Sequence, residues 1–358
     1  MRGTSCGVKT RTPHPAPRNP QPANMKIKIA VLGVGHLGKI HLKCLAGLED
    51  IFEVIGFYDP DDSNSNKATE KYGVRRFENL EELMTATDAV NIVTPTTTHF
   101  ELAANAIRNG KHLFIEKPLT HTLEEAEKLR ELAKAHPVKI QIGHVERFNP
   151  AYLAIKDSVL DPMFIEGHRL AAFNPRGTDV SVILDLMIHD LDIVLKVVNS
   201  EIKTVSASGV AVVSDSPDIS NVRLEFENGC VANLTASRIS LKQMRKIRLF
   251  QKDAYISLDF LEKEAQIVKM YYKGAPNVPP DTGFLEIETQ NGTKLITMEM
   301  PEKQEINAIQ TELRTFGESI LNNTEPVVPL EDGYKALKLA HIIINQIQDR
   351  INRYRNGI

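Results

Sequence analysis

The chain has little cysteine, no long apolar run and no dominant charge, and each shortage excludes a class of function. Its three cysteines, Cys6, Cys44 and Cys230, are scattered and odd in number. They offer neither a disulfide framework nor the spacing of a thiolate metal site, and they suit a reducing compartment, so a cytoplasmic protein is expected. No apolar run reaches the roughly 18 residues of a membrane span, so no membrane partner is expected. The formal net charge is only -3. No folded stretch is strongly basic, which argues against nucleic acid as a partner. There are no internal repeats. Residues 1–24 lack acidic side chains and almost lack bulky apolar ones, but carry Pro13, Pro15, Pro17, Pro20 and Pro22. Such a segment cannot offset its ordering entropy by burial and is expected to be disordered. It has no apolar signal-peptide core, and its poor amphipathicity disfavours an organellar presequence. Met25 opens directly onto the first strand, so this tail also reads as an artefact of start-site choice.

What remains is long enough for two domains with real cores. From Met25, short apolar strands alternate with helices. Strands are predicted at Ile27–Leu32, Phe52–Tyr58, Ala89–Val93, His112–Ile115 and Val138–Ile142, and helices at His36–Leu48 and Leu123–His136. Thr122 and Glu125 have the spacing of a capping box for the latter. This alternation implies a parallel sheet covered on both faces. Beyond Pro150 the pattern changes. One helix, about Ser181–Val198, is followed by alternating strands, in which Val222, Leu224 and Phe226 face one way and Arg223 and Glu225 the other. Further strands at Val231–Ser237, Ile247–Phe250, Tyr255–Asp259 and Ile267–Tyr272 predict an antiparallel sheet. Residues 273–283 form a Pro/Gly loop. Two helices end the chain, and in the last one Leu337, Ala340, Ile344, Ile347 and Ile351 mark a buried side. The expected divisions are a tail (1–24), a nucleotide-binding domain (25–146), a substrate and oligomerisation domain (147–302) and C-terminal helices packing back on the body (303–358). A sheet whose own helices cover one side leaves the other needing cover, so a homodimer or homotetramer is expected.

Gly33-Val-Gly35-His36-Leu37-Gly38 follows the first strand and opens a helix. Gly33 permits a tight turn, Gly35 lets a pyrophosphate approach the backbone, and Gly38 allows close helix–strand packing, with the helix N-terminus facing the anion. Asp59 stands at a strand end about 20 residues on, where an acid binds ribose hydroxyls. Its charge repels a 2′-phosphate, and no arginine follows immediately, so NAD is expected rather than NADP.

The next strand ends bring Thr94-Pro95 with His99, and then Glu116-Lys117-Pro118. Ligands of open parallel sheets bind at such carboxyl ends, so these residues either line the cofactor site or, for Thr and His, cap the following helix. Lys117 could donate to a substrate oxygen and stabilise a developing alkoxide. In the run from Ile183 to Asp192, Asp185 and His189 are four apart and share a helical face, with Asp192 one turn on. A neighbouring anion and partial burial move a histidine pKa in opposite directions, which suggests a tuned proton acceptor. A structural ion pair is the plainer alternative. A metal site built from Asp185, His189 and Asp192 would be short of ligands, and no metal is expected. Arg147 and Asn149 sit where the chain enters the second half. Arg147 could bind phosphate or carboxylate, or join the domains by a salt bridge. Arg176, Arg238, Lys242 and Arg245 could serve a diphosphate, or be exposed strand charges.

In order and spacing, the glycine loop, Thr94-Pro95…His99, Glu116-Lys117-Pro118 and Asp185-x-x-x-His189 resemble the glucose-fructose oxidoreductase/inositol dehydrogenase (Gfo/Idh/MocA) family. The resemblance runs from Met25 to the C-terminus. It implies a doubly wound Rossmann domain followed by an α/β domain with an open, mostly antiparallel sheet. It also implies an NAD-dependent dehydrogenase with Lys117, Asp185 and His189 as catalytic residues. The Gly143-to-Pro150 segment and Ser237-Arg238 are similar to the branch that oxidises nucleotide sugars. This suggests conversion of the 3-hydroxyl of a UDP-N-acetylhexosamine to a ketone, with Arg147, Asn149, Arg176, Asp192 and Arg238 binding substrate. A free polyol or inositol dehydrogenase and a non-catalytic NAD-sensing regulator are the competing readings.

Overall fold

A computed structural model describes residues 26–174, 180–279 and 284–355. The tail expected at 1–24, Cys6, Arg176 and the end of the 273–283 loop lie outside the described residues. The first half holds a five-stranded parallel sheet of β1 (Ile27–Leu32), β2 (Phe52–Tyr58), β3 (Ala89–Ile92), β4 (His112–Glu116) and β5 (Ile140–Gly143). Its order is β2-β1-β3-β4-β5. The strand order therefore reverses beside β1, and the crevice beyond the ends of β1 and β3 is the place for a ligand. Flanking it are α1 (His36–Ala46), α2 (Asp62–Tyr72), α3 (Leu80–Ala86), α4 (His99–Arg108) and α5 (Leu123–Lys134). The Thr122–Glu125 capping box is formed at α5.

After a short helix α6 (Pro150–Leu153), a nine-stranded sheet fills the second half. Its strands are β6 (Phe164–Leu170), β7 (Ile202–Val210), β8 (Ile219–Phe226), β9 (Val231–Ser237), β10 (Met244–Gln251), β11 (Ala254–Asp259), β12 (Glu264–Tyr272), β13 (Leu285–Thr289) and β14 (Gly292–Glu299). The order is β13-β14-β12-β11-β10-β6-β9-β8-β7, and every pair but β6–β9 is antiparallel. Sequence pattern alone does not find β6, β7, β13 and β14. The reasons are physical: β7 is an edge strand rich in small polar residues, β13 is exposed along its whole length, and β6 places an arginine on its inward side.

The helix expected over Ser181–Val198 is two pieces, a π-helical turn at Ile183–Met187 running into α7 (Ile188–Val198). The last helices are α8 (Ala308–Leu321) and α9 (Leu330–Arg355). Leu313 and Phe316 of α8 join the core under β1 and β2. Helix α9 contributes Tyr334 and Leu337 to the other core of the parallel sheet, and Leu339, Ala340, Ile343 and Ile347 to the core of the large sheet. No helix among the described residues is long and apolar enough to cross a membrane.

Candidate active site

The three glycines do three different things. Gly33 adopts φ +87°, a conformation costly for any residue with a Cβ, and a Cβ there would meet the Val93 carbonyl at 2.7 Å. A Cβ on Gly38 would lie 2.0 Å from the Gly33 oxygen, so α1 packs this closely only on glycine. Gly35 faces open space and leaves room for a diphosphate. It also caps α1 with no side-chain hydrogen bond, so the helix N–H groups are left to an anion. His36 and Leu37 are exposed in the first turn beside this opening.

Asp59 is buried at the end of β2. Its Oδ2 accepts from Val34 N (2.7 Å) and its Oδ1 from Asp61 N (2.8 Å). The carboxylate thus shapes the glycine loop at the end of β2. An arginine does come close, although none follows in sequence: Arg76 Nη2 donates to the Asp59 carbonyl at 3.4 Å. It is tied to Asp62 (2.8 Å) and Glu78 (3.4 Å). These residues fit NAD.

Thr94 is half-buried and Pro95 exposed at the end of β3. His99 does not cap α4 with its side chain. It is buried, with Nε2 3.0 Å from the Thr94 carbonyl and Nδ1 2.9 Å from the Pro118 carbonyl, and so joins two strand-end loops. The Glu116 side chain is held by its protein neighbours. Its Oε1 lies 3.1 Å from His41 Nε2, and its Oε2 accepts from Lys117 N at 3.2 Å.

Lys117, Asp185 and His189 come together beyond β4, brought there by the π turn. Lys117 Nζ donates to the backbone carbonyl of Asp185 at 2.8 Å and lies 3.9 Å from its Oδ1. Burial lowers the Lys117 pKa below the ordinary lysine value, against the pull of Asp185 and Glu116. His189 Nδ1 is buried without a hydrogen-bond partner among the described residues. Burial, and then the charges of Lys117, Arg169, His144 and Arg245, push the His189 pKa well below the usual imidazole range. Of the two opposing influences expected, burial prevails, and Asp185 is not among the main contributors. The α-helical spacing behind that reading fails because a π turn, with its wider i→i+5 bonding, lies between the two residues. Asp185 faces Lys117 instead, and His189 is held neutral, as a proton acceptor must be.

Several residues expected to bind substrate have other work. Arg147 is buried and donates to Asp192 from Nε (2.6 Å) and Nη2 (2.7 Å), and to Asp332 of α9 (3.2 Å). Of the two readings of Arg147, the joining salt bridge is the correct one, and it takes Asp192 with it. The Asp192 carboxylate is thus committed to Arg147. Asn149 caps α6 through Ala151 N and donates to Glu146 (2.9 Å) and to the Phe260 carbonyl (3.0 Å). Arg238 is buried and donates to the Val180 carbonyl. Lys242 and Arg245 are exposed. Arg245 pairs in register with Arg169, and its charge reaches Lys117 and His189.

Beside Lys117, Asp185 and His189 lies a network that sequence reasoning missed. Arg169 of β6 donates to Asp190 (2.8 and 3.0 Å) and to Glu146 (2.9 Å), all three buried. The available signal was Arg169 itself, a charged residue in step with Ile165 and Gly167 on the inward side of a strand, where only a buried partner makes it tolerable.

Comparison with known proteins agrees with this geometry. The model of an oxidoreductase family with an NAD-binding Rossmann fold matches residues 27–144, and the GFO/IDH/MocA C-terminal domain matches residues 163–256. UDP-N-acetylglucosamine 3-dehydrogenase of Acidithiobacillus ferrooxidans is 39% identical over 254 residues, covering 71% of this chain and 79% of the relative. Its solved structure superposes with a TM-score of 0.81 at 32% identity, over 91% of this chain and 99% of the other. The NAD-dependent scyllo-inositol 2-dehydrogenase of Bacillus subtilis is 31% identical, over 60% of this chain and 68% of that one. The chain belongs to the Gfo/Idh/MocA oxidoreductase family and is an NAD-dependent dehydrogenase.

Proposed function

We propose that the protein oxidises a hydroxyl of a nucleotide sugar, the 3-hydroxyl of a UDP-N-acetylhexosamine, to a ketone. The observation that carries this reading is the convergence of Lys117, Asp185 and a buried His189 at the carboxyl edge of the parallel sheet, where burial lowers the His189 pKa. Bound NAD supplies the hydride acceptor. His189 takes the hydroxyl proton. Lys117 donates to the same oxygen and stabilises its growing negative charge. Asp185 holds Lys117 and is half-exposed to meet the sugar. Arg245, exposed beside this cluster, is the cation best placed for a diphosphate. The likeness to a UDP-N-acetylglucosamine 3-dehydrogenase, over most of both chains, supports the sugar.

The test incubates the enzyme with NAD and a panel of UDP-sugars and free polyols, follows reduced nicotinamide and identifies the product. A 3-keto UDP-N-acetylhexosamine is expected. Turnover confined to inositols or other free polyols would overturn the nucleotide-sugar reading.

The same reading includes a homodimer or homotetramer joined through the outer face of the large sheet. Phe164, Phe250 and Tyr255 form a cross-strand aromatic row there, with ring centroids 5.9 and 5.1 Å apart, on the side opposite the core residues Ile165, Leu249 and Ile256. A monomer by sedimentation at about micromolar concentration would refute it, since an apolar face of this kind is otherwise exposed. Cys44 and Cys230 remain buried thiols, which supports a cytoplasmic location, and the divisions at 25–146, 147–302 and 303–358 complete the reading.

A further inference from the structure

A second cluster of titratable groups lies inside the first half, on the side of the sheet covered by α1 and α8. Asn91, Phe114 and Gln141 are in register across β3, β4 and β5, and Glu116 and Gly143 follow two residues on, on the same face. His41 comes from α1 and Glu312 from α8. All of the polar members are buried, and His41, Asn91, Gln141 and Glu312 are wholly so. One ligand atom each from His41, Glu116 and Glu312 lies within 4.8 Å of the others. Space is reserved for the Glu116 carboxylate, because a Cβ on Gly143 would come within 2.9 Å of it.

The hydrogen bonding of this cluster is incomplete. Both carboxylate oxygens of Glu312, the side-chain oxygens of Asn91 and Gln141, and Nε2 of His41 have no hydrogen-bond partner among the described residues. Nε2 of His41 stands 3.1 Å from Glu116 Oε1. One proton would neutralise one carboxylate and leave the other oxygens unmatched. A divalent cation balances Glu116 and Glu312 together and takes lone pairs from several oxygens at once. We propose that His41, Glu116 and Glu312 form a structural metal site that takes a zinc ion. One imidazole and two carboxylates, nearly closed to solvent and without a thiolate, give three donors of a four-coordinate zinc site, and the second oxygen of Glu312, which has no hydrogen-bond partner among the described residues, gives the fourth. Asn91 supports it from behind His41. Its Nδ2 is now 3.0 Å from His41 Nδ1. With the amide turned over, Oδ1 accepts from Nδ1–H and frees Nε2 for the ion, the outer hydrogen bond that metal-bound histidines commonly make. The three ligands are far apart in sequence, which is why no spacing motif announces them. The ion would clip α8 to the sheet and fix Glu116, whose other oxygen holds the Lys117 backbone.

The test uses the untagged full-length protein. Elemental mass spectrometry after dialysis should find about one zinc per chain. The metal-stripped protein, titrated with Co2+, should develop the visible d–d bands of a low-symmetry four-coordinate site, and zinc should raise its melting temperature. Glu312→Gln, of the same shape, should lower metal content roughly tenfold or more and abolish the thermal shift. A native protein without metal and without a cobalt spectrum would overturn the proposal. So would metal retained in full by Glu312→Gln. If that variant folds poorly, the cobalt titration of the native chain decides the matter alone.

Discussion

Two layers of charge meet at α7 and are held in opposite ways. In the inner, buried layer the groups are saturated: Arg147 grips Asp192 through two nitrogens, and Arg169 is locked between Asp190 and Glu146. In the outer layer the pairing is loose. Lys117 stands 3.9 Å from the Asp185 carboxylate, and His189 keeps a buried nitrogen with no hydrogen-bond partner among the described residues. A saturated ion network has one low-energy arrangement and resists change. A poorly paired, desolvated lysine and histidine have hydrogen-bonding capacity left for substrate. The inner layer also supplies part of the positive field that keeps His189 neutral, so the rigid side conditions the reactive one.

That contrast is broken most directly by removing one member from each layer. His189→Ala should lower kcat by about 10²–10⁴-fold, the usual cost of a lost general base. Its melting temperature should stay near native, because no hydrogen bond to Nδ1 is lost. Arg169→Met should do the reverse in stability. It strands two buried carboxylates, which typically costs about 3–5 kcal/mol. Chemical denaturation of both variants, beside their kcat values, makes the comparison. Equal destabilisation by the two would dissolve the distinction between the layers, and full turnover by His189→Ala with chemistry rate-limiting would remove the base assignment.

The pH profile sharpens the same point. A base must be deprotonated, so the rate rises with pH through the His189 pKa. Burial and the surrounding cations place that midpoint well below the ordinary imidazole value. Lys117 must be protonated, so the rate falls as pH climbs through its pKa, which burial brings below the ordinary lysine value. The expected bell in kcat/KM has both limbs displaced to low pH. Arg169→Lys, which keeps a cation but changes its geometry, should leave the acid limb low. An acid limb at or above the normal imidazole range in the native enzyme would contradict the electrostatic picture.

How legible each part was depends on how local its signal is. The glycine loop and Asp59 were readable because a tight turn, an open cradle and a strand-end acid occupy consecutive elements. Lys117 and His189 were readable as residues but not as a geometry. The run from Ile183 looks α-helical, and nothing in its composition announces the π turn that aims Asp185 at Lys117. Arg147 was readable as a cation in need of an anion, yet its partners lie 45 and 185 residues away. Arg169 meets Asp190 21 residues on, and Glu146 23 residues back. Pairings at those separations are fixed by tertiary packing, which leaves no spacing to read.

The smallest expected effect concerns Asp59, a buried carboxylate that belongs to neither layer. It has two tasks. It repels a 2′-phosphate, and its Oδ2 holds Val34 N at 2.7 Å, fixing the glycine loop. Asp59→Ala should therefore weaken NAD binding and, at the same time, remove the penalty against NADP. Arg76 already reaches the Asp59 carbonyl and would stand beside the added phosphate, although Asp62 and Glu78 restrain it. The ratio of NAD to NADP affinity should fall about tenfold or more, equivalent to roughly 1.4 kcal/mol. Asp59→Asn should give a smaller fall, because an amide oxygen can still accept from Val34 N and keep the loop in place. Titration of both cofactors against the three proteins separates the tasks. If Asn and Ala shift the ratio equally, repulsion alone sets the preference. If native protein binds NADP as tightly as NAD, Asp59 does not set it at all.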